Sequence, residues 1–153
     1  MSAVILTEEE LRAKCAEWQK ILRLQDWIVD VSICRERDMQ NNGCCGEVEW
    51  TLEKRMAQVR ILDPVDYPER AMEGHDMEET LVHELLHLHM APFRPDRSDE
   101  LRYCAMEQAI DAISRGLVAL KRQADRGNDH TFGIPEKLKV MTEGGKEVDI
   151  VRL

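Results

Sequence analysis

Aromatic residues are scarce in this chain, at 5% of 153 residues, and no basic excess offsets the scarcity: the net charge is −9. Without interleaved aromatic and basic side chains, and with acids in surplus, coating DNA, RNA or an anionic membrane by charge is excluded. No apolar run approaches the roughly 18 residues that span a bilayer. The N-terminal Met1–Leu6 lacks the basic start and long apolar stretch of a signal peptide, so the expectation is a cytoplasmic protein. Five cysteines, an odd number, do not make a disulfide framework and suit a reducing compartment. Repeats, low-complexity tracts and domain-separating linkers are also missing. What is present is 43% hydrophobic residues, enough for a folded globule. Its length suits a single compact domain over 1–153, with a core at about 7–124.

Hydrophobic periodicity predicts an α+β chain. Thr7 and Glu10 have capping-box spacing, and Leu11, Cys15, Trp18 and Leu22 then share one face of a helix over 7–24. From Trp27 the period shortens to two: Trp27, Val29, Val31 and Ile33 form one strand face. A turn at Asn41-Asn42-Gly43 and strands through Val48–Leu52 and Met56–Leu62 complete a predicted antiparallel meander. Asp76 and Glu79 repeat the capping spacing and open a helix to about Met90. A longer helix is expected over 98–124, with Met106, Ile110, Ile113, Leu117 and Leu120 inward and Gly127 as its stop. A C-terminal β-hairpin is expected within 134–153, pairing Leu138–Met141 with Val148–Val151.

The second helix carries His83-Glu84-Leu85-Leu86-His87. At about 100° per residue, positions i and i+4 point the same way, so both imidazoles can reach one ion. Glu84 lies beside them, placed to touch a metal-activated water rather than the metal. An amphipathic helix with two marginal histidines is the bland alternative. A third ligand is available in Glu107, twenty residues after His87, with Asp111 four further on. Two antiparallel helices with a short loop would bring this carboxylate pair onto the histidine face, unless it is merely a solvated helix surface. Glu107 then completes a His₂Glu site for one Zn²⁺, and Asp111 accepts from the outer nitrogen of a ligating imidazole. His89 points to the opposite face. Cys45, in Gly43-Cys44-Cys45-Gly46, is an alternative third ligand of the peptide deformylase kind. Met90 and Phe93 stand where a metzincin needs Gly and His, which removes that family.

The HExxH motif with Glu107-x-x-x-Asp111 resembles the gluzincin clan of zinc metallopeptidases. The order of elements is similar to a minimal zincin, and to small intracellular HExxH proteins of the SprT-like and phage-repressor-cleaving types. The resemblance implies zinc-dependent hydrolysis of peptide bonds in a peptide or protein substrate, with Glu84 as general base. It also implies docking of an extended peptide along an exposed strand such as Val59–Leu62. An oxyanion donor is needed besides the metal. His130 is the preferred candidate over Tyr103 and Tyr67, although a surface histidine is its other reading. The competing function is a non-catalytic zinc-binding module that recognises a partner protein; Glu84 argues against it, because a structural site gains nothing from a general base.

Overall fold

The computed structural model describes residues 3–129, 137–141 and 147–151, with side chains through residue 127. Its elements are α1 (Glu8–Ile21), β1 (Ile28–Cys34), β2 (Gly46–Thr51), β3 (Met56–Leu62), α2 (Met77–Met90), α3 (Glu100–Asp129), β4 (Lys137–Met141) and β5 (Glu147–Val151). The chain divides into two compact units, Met1–Ala119 and Leu120–Leu153, whose boundary falls within α3. In the second unit β4 and β5 pair antiparallel, Leu138 opposite Ile150 and Val140 opposite Val148.

The first unit is α+β. Thr7 caps α1 with a reciprocal box to Glu10, and Leu11, Cys15 and Trp18 are buried on one face. The Trp18 indole N–H, which a dry core would strand, donates to Glu78 Oε1 at 3.0 Å. The sheet order is β1-β3-β2. β2 and β3 form an antiparallel hairpin, but β1 runs parallel to β3, Val31 opposite Val59. The antiparallel meander is therefore corrected to a mixed sheet. The reason is burial: β3 buries Ala57, Val59, Ile61 and Leu62, so it takes the centre, where both edges are paired. Residues 35–55 supply the long crossover that a parallel neighbour requires. This also removes Val59–Leu62 as an open edge; the edges are β1 and β2.

α1 and α2 cover the sheet face formed by Val31, Ala57, Val59 and Ile61, and α2 contributes Leu81, Val82, Leu85 and Leu88 to this core. On the opposite face, Glu47 is buried beside Arg60 at 2.9 Å and accepts from the backbone amides of Gln40 and Asn41. Burial alone would raise its carboxyl pKa; the amides and the guanidinium outweigh that and hold it below the ordinary value. Glu47 thus pins the segment leading to β2. Glu47→Ala, which strands both amides and the Arg60 Nη1 while Arg60 Nη2 keeps Glu49 and Gln58, is expected to cost about 1–3 kcal/mol in urea unfolding.

α3 departs from expectation in two respects. It continues through Gly127 to Asp129, since one glycine weakens a helix without ending it. Its buried positions are Met106, Ile110, Ser114 and Val118, while Ile113 is exposed. Ser114 is tolerated inside because its hydroxyl donates to the Asp111 carbonyl at 2.9 Å.

Candidate metal centre

Asp76 Oδ1 accepts from the Glu79 amide at 3.0 Å and starts α2, which sets the rotation of every later side chain on it. Leu81, Leu85 and Leu88 face the core, so His83 and His87 emerge together at the margin. α3 runs alongside in the opposite direction. Glu107 meets His83 and His87, Asp111 lies nearest His83, and Arg115 reaches Glu79 one turn earlier on α2.

Glu107 Oε2 lies 3.3 Å from His83 Nε2 and 3.5 Å from His87 Nε2. The three ligand atoms lie within 4.8 Å of one another. Tetrahedral zinc with bonds of about 2.0–2.1 Å holds its donors about 3.3–3.4 Å apart, so both nitrogen–oxygen separations and the N/N/O donor set fit that ion. Hydrogen bonds from His83 and His87 hold the Glu107 carboxyl well below its usual range. The deprotonated carboxylate is the form that binds a cation. Burial lowers the His83 pKa, but Glu107, together with Glu84 and Asp111, more than compensates and the net movement is upward. Asp111 Oδ1 is 4.0 Å from His83 Nδ1, longer than a hydrogen bond. Its other oxygen, 3.0 Å from Arg115 Nε, is engaged on the far side.

Glu84 is 6% exposed and its carboxyl is pushed up to about 7, chiefly by burial and against the opposing pull of His87 and His83. A carboxylate so poised can both take and return a proton near neutrality. Its close neighbour is the edge strand. A Cβ on Gly46 would stand 2.6 Å from Thr80 Cγ2 and 2.8 Å from Glu84 Oε1. Only a glycine lets β2 approach α2 at this point.

These residues line an open cleft of about 1070 Å³, with β2 as one wall and α3 as the other. No family model, curated protein or solved structure matches the chain. The cleft brings together His83, Glu84, His87, Glu107 and Asp111. His130 lies outside the described residues. Tyr67 and Tyr103 both reach the cleft, but the Tyr67 hydroxyl donates to the Glu73 carbonyl at 2.9 Å. Cys45 lines the cleft, yet the one metal-capable group among the described residues is the His₂Glu set. Burial, then the Glu84 charge, raise the Cys45 thiol pKa and so disfavour the thiolate that a metal would need. His89 faces away and bonds the Leu22 carbonyl through Nε2 at 2.8 Å.

Three further residues of the cleft are not marked by a motif: Arg115, Gly46 and Glu47. Arg115 continues the i, i+4 series Glu107–Asp111–Arg115, a signal that was there to follow; it is held by both Glu73 oxygens at 2.8 Å. Gly46 and Glu47 carried no signal beyond a glycine before an alternating strand. Their roles depend on what lies across from them.

Proposed function

We propose that the chain is a compact zincin-like metallopeptidase that hydrolyses peptide bonds in peptide or protein substrates in the cytoplasm. The observation that carries this reading is the convergence of His83 Nε2 and His87 Nε2 on Glu107 Oε2 at tetrahedral-zinc spacing. His83, His87 and Glu107 would hold the ion. Zinc, when bound, supplies Lewis acidity to a carbonyl oxygen and lowers the pKa of a coordinated water. Glu84 takes a proton at its carboxylate and delivers it to the departing amine nitrogen, and burial keeps that carboxylate within range of both tasks. Asp111, held by Arg115, presents a negative charge to the outer side of His83. An extended substrate would lie along β2, the edge strand beside Glu84. Five free thiols are in keeping with a reducing compartment, and no helix among the described residues is long and apolar enough to cross a membrane.

The test is elemental analysis of untagged protein followed by a peptide-pool digest read by mass spectrometry. One zinc per chain and new peptide termini are the expected results. Protein that takes up no stoichiometric metal when zinc is supplied overturns the reading. Zinc without cleavage favours the partner-recognition module instead.

The approach of Gly46 to Glu84 gives a second expectation. Gly46→Ala pushes on the Glu84 carboxylate and the Thr80 methyl without touching the three ligand residues. Cleavage should fall about 10–100-fold with zinc retained, because displacements near 1 Å are costly for a positioned base. Thr80→Ser removes one of the two clashing atoms and should partly restore the rate in the double variant.

A further inference from the structure

One end of the cleft is built differently from the rest. Arg94 and Arg97 lie on the loop between α2 and α3 and line the cleft with Trp50 and Tyr103. The Arg94 guanidinium stands 5.2 Å from the Trp50 ring centre and 5.7 Å from that of Tyr103, and Arg97 stands 5.9 Å from Tyr103. Ring faces hold the two cations in place while leaving guanidinium N–H edges free.

Neither arginine has a carboxylate partner among the described residues, in a chain with acids in excess. Two neighbouring acids are committed elsewhere. Asp96, between the two arginines in sequence, accepts from the Ser98 amide and hydroxyl at 2.8 and 2.7 Å. Asp99 pairs with Arg102 at 3.5 Å. By contrast Arg115, farther along the cleft, is surrounded by Glu73, Glu79 and Asp111.

We propose that Arg94 and Arg97, stacked on Trp50 and Tyr103, form a subsite for an acidic side chain of the peptide substrate. This rests on the peptidase reading for its substrate class. Tyr103 is one helical turn before Glu107, about 6 Å along the axis. An extended peptide advances about 3.3 Å per residue, so the Asp or Glu falls within about two residues of the scissile bond. A bidentate guanidinium–carboxylate contact is the chemistry the free N–H edges offer. A single acidic side chain fits better than a polyanion such as single-stranded nucleic acid. A polyanion running the length of the cleft would meet Glu79 and Asp111 at its other end.

The test uses the zinc-loaded full chain carrying Glu84→Gln, so that peptide is bound and not consumed. Nonapeptide pools with Glu or Gln fixed at the centre, all other positions random and a neutral dye attached, are compared by fluorescence anisotropy. The Glu pool should bind about fivefold or more tighter, as charge-assisted bonds to a guanidinium imply. The ratio should fall toward one in Arg94→Gln/Arg97→Gln, with zinc content and circular dichroism unchanged. High salt should shrink it in the unsubstituted loop as well. Equal binding of the two pools, or a ratio that survives the double substitution, overturns the proposal. So does tighter binding of a random single-stranded oligonucleotide than of the Glu pool. If the Glu84 form with zinc cleaves neither pool while the binding ratio stands, the peptidase reading fails and the acidic-side-chain subsite does not.

Discussion

Replacing Glu84 by Gln is expected to lower peptide-bond cleavage about 10²–10⁴-fold, the range over which a positioned general base acts. Gln keeps the shape and loses the proton-accepting oxygen. It touches none of the three donor atoms of His83, His87 and Glu107, so zinc should stay at one equivalent per chain. Stability should not suffer. Glu84 is buried, and an amide there replaces a group whose charged form burial disfavours. An unchanged or higher thermal midpoint, full zinc and lost cleavage together would separate a catalytic role from a structural one. Loss of zinc in this variant, or cleavage at the original rate, would remove Glu84 from the chemistry.

The second large effect is expected at Glu107. Glu107→Ala deletes the carboxylate oxygen on which both imidazoles converge and leaves two donors where three stood. Losing even an outer partner of a ligand typically costs 10–100-fold in metal affinity, so losing the ligand itself should raise the zinc dissociation constant by at least about 100-fold. Competition against a chelator of known affinity measures this. The fold should persist, because Glu107 sits at the cleft and not in the core. Asp111→Asn offers a graded comparison. Its 4.0 Å separation from His83 Nδ1 makes it a weak orienting partner, so its effect should lie near the lower, tenfold end. Equal losses from the two substitutions would mean that charge in the cleft, rather than ligation, governs metal uptake.

Much of the candidate site was legible because it is written in helices. His83, Glu84 and His87 are related by the turn of a single helix, and Glu107 and Asp111 by the turn of another. The caps at Thr7 and Asp76 are likewise local, settled by hydrogen bonds three residues apart. A helix carries its own hydrogen-bond partners, so spacing in sequence becomes direction in space before any tertiary contact forms.

Neighbours across the sheet are another matter. Alternation in β1, β2 and β3 marks which side chains share a face, but is silent on which strand lies beside which. That choice was made by burial, which drew β3 to the centre, set β1 parallel to it and left β2 as the edge against α2. From that choice follow the closeness of Gly46 to Glu84, the pairing of Glu47 with Arg60 and the stacking of Arg94 on Trp50. The rotation of α3 was decided in the same way: Ser114 went inward and Ile113 outward, because the helix turned to bury Met106, Ile110 and Val118. By itself the sequence determined the helices and the spacing of His83, Glu84, His87, Glu107 and Asp111 on them, through bonds made within a turn. Only the tertiary structure decided the strand order, the cleft and its charged ends, because those depend on the apolar surface that distant segments bury together.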